Sequence, residues 1–317
     1  MAYREMKFDR KTAKVSRYFQ RVMSPDHIGP ISLQVALTDS CFNRCIMCDH
    51  PARKKMHRME VTDWVRKLRL FKDAGLESVC YSGGDPMAYT DFNDVMAAHI
   101  QLNIRFGMTI TGYVPHYIDL NLLNRADWVR VSLDAVTPEV YEKVRGKTPV
   151  AKVKDGIERM VKAGVAVGLG ITLHADNVAD LPNVLAYADT LGIMDIETHH
   201  IVPDSGVRAV RVPEKWERKI EPFQNCHAVR YQLYIDAEGD VYPCCITAGD
   251  AQAVPQAQAL GNLWVDSWDA IWEEVLKYSK LNYKELPEIC RTCCIQRLSQ
   301  INSIVDQLQA QDSKSFF

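Results

Sequence analysis

Between residues 31 and 205, six strand-like segments alternate with helix-like ones, and no other feature narrows the fold as far. The strand candidates are ISLQVALT (31–38), SVCYSG (78–83), RFGMTITG (105–112), WVRVSLDA (128–135), AVGLGITLH (166–174) and DIETHHIVP (195–203). They are short, rich in β-branched residues and often bounded by glycine, as buried strands are. Helical patterns lie between them. TDWVRKLRLFKDAG opens with Thr62 as a cap and closes at Gly75, and DFNDVMAAHIQLN, PVAKVKDGIERMVKAG and NVADLPNVLAYADTLG behave alike. Six βα units in series predict an α/β fold: a parallel sheet with helices outside, curved into a partial (β/α)6 TIM-like barrel, short of the eight units of a closed one.

Past Pro203 the rhythm changes. RYQLYIDAEGDVYPCC reads as a β-hairpin with AEGD at the turn, and DSWDAIWEEVLKYSK as an amphipathic helix. A dense cysteine group at 290–294 precedes a last helix from about 295 to 311. The expected organisation is a basic helical extension over 1–30 packed on the outside, a barrel over 31–205, and a smaller hairpin-plus-helix domain over 206–317 that frays at QDSKSFF. Trp264, Trp268 and Trp272 fall at helical spacing and read as core.

The chain has 317 residues and a formal net charge of −2, which exerts no broad pull toward nucleic acid or an acidic membrane; neither is expected as a partner. MAYREMKFDRKTAK is charged and no apolar segment follows it, so no secretion signal is expected. No apolar run approaches the roughly 18 residues of a membrane span. A cytoplasmic location follows. Ten cysteines in a reducing compartment are poor disulfide material and point to metal ligation. They fall as Cys41, Cys45 and Cys48; Cys80 alone, read as core; Cys226, Cys244 and Cys245; then Cys290, Cys293 and Cys294. The long separation between the first group and the rest favours two centres.

The first group lies on the loop that leaves the first strand, at the carboxyl edge where βα folds place their active sites. Three thiolates on a short loop suit three irons of a 4Fe–4S cube and leave the fourth open to chemistry. A structural zinc site with His50 as fourth ligand, or three incidental buried cysteines, are the competing readings.

Cys-x3-Cys-x2-Cys after a first strand resembles the radical S-adenosylmethionine (radical SAM) superfamily, and further segments share the resemblance. YSGGDP (81–86) is similar to the family's Gly-Gly-Glu-Pro element, with Asp in place of Glu. The resemblance implies that Gly83 and Gly84 bring backbone close to the methionine moiety and that Asp85 accepts from its ammonium. It also implies a ribose contact for Ser132 in VRVSLDA, a place for Arg145 near the SAM carboxylate, and an adenine or ribose contact from the fifth strand at Thr172. Met47, where the family commonly has an aromatic residue, is the expected packing surface for adenine.

The second set reads Cys226-x12-Gly239-x4-Cys244, then Cys290-x2-Cys293, and resembles the Twitch form of the SPASM auxiliary-cluster domain. Four thiolates saturate a 4Fe–4S cluster, so this one is expected to transfer electrons. Cys245 in place of Cys244, Cys294 in place of Cys293, and a zinc ribbon from the same residues all stay open. As spare thiols, Cys245 and Cys294 are either buried hydrophobes or hydrogen-atom donors to a substrate radical.

The resemblance implies two 4Fe–4S clusters, SAM as cofactor and a reducing partner such as flavodoxin or ferredoxin. Reductive cleavage of SAM then yields a 5′-deoxyadenosyl radical that takes hydrogen from an unactivated carbon. Substrate contacts are expected from Tyr113, His174, Asp176, Glu197, His199 and His200, with one side chain of ETHH facing the barrel interior as a base. The layout resembles 2-deoxy-scyllo-inosamine dehydrogenase and related aminoglycoside enzymes, so a small polyhydroxylated substrate, oxidised or epimerised, is the leading expectation. Modification of a ribosomal peptide is the alternative. Only 40 residues precede Cys41, which argues against the version with a leader-gripping domain ahead of the loop. A zinc-bound scaffold without activity is the reading from outside the enzyme class.

Overall fold

A computed structural model describes residues 18–48, 56–200, 223–245, 247–248, 259–287, 290, 301–307 and 309. All six expected strands form: β1 (Ser32–Ala36), β2 (Ser78–Ser82), β3 (Arg105–Ile110), β4 (Trp128–Ser132), β5 (Val167–Leu173) and β6 (Ile196–His200). The helices between them are α1 (Val61–Asp73), α2 (Phe92–Leu102), a single turn α3 (Leu120–Leu123), α4 (Pro138–Arg145), α5 (Val150–Lys162) and α6 (Leu181–Thr190). Every neighbouring pair from β1 to β6 is parallel. The architecture is the expected α/β partial barrel.

Side chains alternate across the sheet, as the two-residue period of a strand requires. Leu33 and Val35, Val79 and Tyr81, Val129 and Val131, and Leu169 and Ile171 are buried in one core against the helices. That face takes Trp64, Leu68 and Phe71 from α1, spaced so that they share one side of the helix. Burial at such positions stabilises by about 1.5–3 kcal/mol each. Polar atoms in this core have partners: the Tyr81 hydroxyl takes the Trp64 indole N–H at 2.9 Å and meets His99 Nε2 at 2.6 Å. Gln34, Ser82, Arg130, Ser132 and Thr172 belong to the opposite face, where Gln34 Nε2 donates to Ser82 Oγ at 2.9 Å. Cys80 lies on that face too, in register with Gln34 and Gly107 and half-buried, so its expected place in the core is corrected.

The hairpin does not stand apart. β7 (Gln232–Ile235) pairs in parallel with β1, and β8 (Asp240–Tyr242) and β9 (Gly261–Asn262) follow antiparallel. One nine-stranded sheet results, in the order β6-β5-β4-β3-β2-β1-β7-β8-β9. After the one-turn helix α7 (Ala228–Tyr231) and the hairpin comes α8 (Trp268–Ser279), whose Ile271, Trp272 and Val275 join the barrel's core.

Several local expectations change. α1 begins at Val61 with Glu60 at the cap position, so Thr62 is inside the helix and caps nothing; Gly75, at φ 92°, ends it as expected. α3 and α4 were not anticipated, although Thr137-Pro138 is a helix-start signal. Trp264 precedes α8 and is partly exposed, whereas the Trp272 indole is buried and donates to the His27 carbonyl at 2.7 Å. Trp268 does the same to Ile28 at 2.7 Å, so the two indoles pin the chain entering β1. Residues 18–23 are helical and pack with Ile301, Ile304 and Val305 of the C-terminal helix. Residues 1–17 of the N-terminal extension, the boundary expected near 204–222, His50, Cys293, Cys294 and the tail lie outside the described residues. Among those described, no helix is long and apolar enough to cross a membrane.

Candidate functional site

The exits of β1 and β2 lie on each other. Gly84 N–H donates to the Thr38 carbonyl at 3.1 Å and Asp85 N–H to the Ser40 carbonyl at 2.7 Å. Gly83 has φ 99°, and a Cβ on it would strike Ala36. A Cβ on Gly84 would run into the backbone of Thr38–Ser40. The close approach these glycines allow on this side is thus to the chain leaving β1, from Ala36 to Ser40. Gly84→Ala is expected to lose about 1–3 kcal/mol through forced backbone displacement, read as a lower urea midpoint at unchanged slope. An unchanged midpoint would refute this packing.

Asp85 is fully buried. One oxygen accepts Met87 N–H at 3.0 Å; the other accepts Thr111 N–H at 3.2 Å and the Thr111 hydroxyl. Burial raises its pKa to about 6 despite these donors. The shorter acid is therefore tied into the β2 and β3 exits, and its expected ammonium contact is limited to lone pairs left over from three internal donors.

The three-cysteine loop is docked on the end of α4. Arg44 N–H donates to the Arg145 carbonyl at 3.0 Å, and Ile46 N–H to Val144 at 2.9 Å. Asn43 is buried: its Nδ2 donates to Tyr141 Oη at 3.1 Å and its Oδ1 accepts Thr148 N–H at 3.1 Å. Arg145 Nε meets Asp134 at 2.6 Å, and its Nη1 donates to Cys45 Sγ at 3.4 Å. Burial opposes the Arg145 charge, but Asp134 outweighs it and keeps the guanidinium charged. The second Asp134 oxygen accepts Thr172 N–H at 2.7 Å, which joins β4 to β5. Burial, then Asp85, pushes the Cys41 thiol up to about 12. A half-buried sulfur beside an acid favours a cationic metal over solvent as the partner for its thiolate. Met47 and Cys48 are half-buried on the same loop.

His174 directly follows β5. It is buried, and its Nδ1 accepts Asp176 N–H at 3.2 Å, so Nε2 carries the proton, with no partner among the described residues. Burial lowers its pKa and keeps the ring neutral. An orphaned donor beside Asp134 and Arg145 fits a polar ligand lying over the strand ends. Asp176 is exposed and paired with Lys143 at 2.6 Å, and Tyr113 packs edge-on to Phe42. Glu197 does face the interior, paired with Arg130 at 2.6 Å across the space that Gly170 leaves open. His199 and His200 are placed by backbone register alone, opposite Thr172 and Leu173.

The second group converges around Tyr278. Its hydroxyl lies 3.5 Å from Cys290 Sγ, and burial, then the thiols of Cys290, Cys226 and Cys244, raise its pKa. A cavity of about 420 Å³ bounded by Pro243, Thr247, Leu260, Lys277, Tyr278 and Pro287 opens beside them. Cys245 packs instead with Ala36, Tyr234, Tyr242 and Ala248, which separates it from Cys244. Among the described residues, neither sulfur trio closes within 4.8 Å as the ligands of one tetrahedral zinc would. His57 joins the two regions, with Nδ1 3.2 Å from Asp39 and Nε2 2.7 Å from Glu238 at the hairpin turn.

Residues 35–188 match the Radical SAM superfamily, and residues 226–294 match SPASM, an iron–sulfur cluster-binding domain. The barrel region thus matches a radical SAM model, and the C-terminal region a SPASM model. Over 176 residues it is 28% identical to the PqqA peptide cyclase of Gluconobacter oxydans strain 621H, covering 54% of this chain and 49% of that protein. The PqqA peptide cyclase of Methylobacterium sp. strain 4-46 is 27% identical over 183 residues, covering 56% and 48%. The chain thus spans about half the length of the curated relatives it matches. Streptococcus suis SuiB bound to S-adenosylmethionine superposes with a TM-score of 0.66 at 16% identity, over 86% of this chain and 72% of that one. Native anSMEcpe with bound AdoMet gives 0.60 at 18%, over 86% and 88%. At these identities the likeness shows the fold.

Within the radical SAM domain, Asn43, Asp134, Tyr141 and Thr148 escaped notice in the sequence. Asp134 alone had a signal, standing two residues beyond Ser132 in VSLDA. Tyr278, in the SPASM region, and Asn302, beyond it, had none.

Proposed function

We propose that this protein is a radical SAM enzyme that modifies a peptide, with an auxiliary cluster serving the electron balance. The observation that carries the reading is the pair of family matches joined to named relatives: two PqqA peptide cyclases, and SuiB, which has been solved bound to its precursor peptide SuiA. It replaces the expectation of a small polyhydroxylated substrate, because these relatives are named as peptide cyclases or were solved with a precursor peptide.

Cys41, Cys45 and Cys48 would hold the first cluster, on a loop kept in shape by Asn43 and Arg145. Gly83, Gly84, Asp85, Ser132, Arg145, Met47 and Thr172 border the place for SAM, with the His174 N–H as an added donor. When bound, cluster and SAM supply a carbon-centred radical able to take a hydrogen atom from an unactivated C–H bond. The protein's own part is to orient the substrate and exclude water. Arg130 and Glu197 form a charged pair on the interior face, suited to orienting a polar side chain of the peptide. Cys226, Cys244, Cys290 and Cys293 would hold the auxiliary cluster, and a flavodoxin or ferredoxin would supply electrons.

The test is anaerobic. Reconstituted protein receives dithionite, SAM and, separately, short peptides encoded beside its gene or a panel of sugars and aminocyclitols. The expected result is 5′-deoxyadenosine formed with a peptide that loses hydrogen by mass spectrometry. Consumption of a sugar with every peptide unchanged would overturn the reading.

A further inference from the structure

Three of the four candidate auxiliary ligands are described, and each sulfur has a different polar neighbour. Tyr278 Oη lies 3.5 Å from Cys290 Sγ, Asn302 Nδ2 3.8 Å from Cys226 Sγ, and Thr247 Oγ1 3.9 Å from Cys244 Sγ. Elementary hydrogen-bond accounting separates them. An iron-bound thiolate has no proton, so any hydrogen bond at it comes from the neighbour. The Thr247 hydroxyl donates to the Cys244 carbonyl at 2.8 Å, which leaves nothing for the sulfur. Asn302 is fully buried, and its Oδ1 accepts Ala228 N–H at 2.6 Å. That bond fixes which end of the amide is which and turns the NH2 group toward Cys226. Tyr278 belongs to α8, which is locked into the main core by Ile271, Trp272 and Val275, so its hydroxyl is held in place by the helix.

We propose that Tyr278 and Asn302 are positioning residues of the auxiliary cluster, donating O–H and N–H to the Cys290 and Cys226 thiolates and thereby holding its reduction potential less negative than the ligands alone would set. Donors at sulfur disperse the negative charge that grows when the cluster gains an electron, and cluster potentials follow such bonds. The inference rests on the cluster assignment above.

The experiment uses the full chain carrying Cys41→Ala, Cys45→Ala and Cys48→Ala, so that the auxiliary cluster is read alone. Iron and sulfide are counted after anaerobic reconstitution, and the midpoint is then measured by EPR-monitored titration with dithionite. Tyr278→Phe is expected to move the oxidised-to-reduced ratio at a fixed potential about tenfold toward oxidised, which is about 59 mV for one electron. Asn302→Asp, which keeps the acceptor for Ala228 and removes the donor, is expected to move it the same way. Should Tyr278→Phe fail to load iron, 3,5-difluorotyrosine at position 278 keeps the shape and strengthens the donor, and the midpoint is expected to rise. Loaded variants with the parent midpoint overturn the role of the donors while leaving the cluster standing. A parent that takes up no iron overturns the cluster assignment and this inference with it.

Discussion

Asp134→Asn is expected to cost about 3–5 kcal/mol of stability, because it leaves Arg145 as a buried cation without its counter-charge. Both partners are nearly inaccessible, and the Nε–carboxylate distance is 2.6 Å. The damage does not stop at the pair. The Arg145 carbonyl takes the Arg44 N–H, its guanidinium reaches Cys45 Sγ, and Asp134 also holds the Thr172 N–H. A shift of Arg145 therefore moves the cysteine loop, and iron uptake at that loop is expected to fall with stability. Urea unfolding of the protein before reconstitution measures the first effect and iron analysis the second. Adding Arg145→Met should recover part of the stability, since an apolar pair in place of a buried ion pair is often neutral. A single variant within about 1 kcal/mol of the parent, the range of exposed pairs, would mean that the pair is solvated.

The second large effect is chemical. Replacing Cys41, Cys45 and Cys48 together by alanine is expected to abolish 5′-deoxyadenosine formation and halve the iron content, from about eight atoms to about four. The remaining half is expected because Cys226, Cys244 and Cys290 gather around Tyr278 on separate elements. Loss of all iron would mean that the two groups build one centre. Zinc in place of iron, with SAM intact, would remove the radical reading entirely.

Much of this was legible because it is local. Strand and helix periods are written into neighbouring residues, so β1 to β6 and α1 fall where patterning puts them. Cysteine spacing within one loop is local too, which is why the two groups were separable before any coordinates. The pairings were not legible. Nothing near residue 43 signals that Asn43 will meet Tyr141 and Thr148, and nothing in CC distinguishes Cys244 from Cys245 until the chain is packed. That Gly83 and Gly84 lie against the end of β1 was hidden for the same reason. Glycine reports that something comes close without naming what, and here it is the backbone leaving β1.

By itself the sequence determined the parallel α/β architecture, the grouping of the cysteines and the radical SAM resemblance, since each depends on residues a few positions apart. Only the tertiary structure decided that the hairpin extends the barrel sheet beside β1, that Asp134 and Arg145 pair under the three-cysteine loop, and that Tyr278 and Asn302 lie beside Cys290 and Cys226. These are contacts between distant segments. They are settled by how buried polar and charged groups find partners once the core has closed, and local patterning carries no record of that choice.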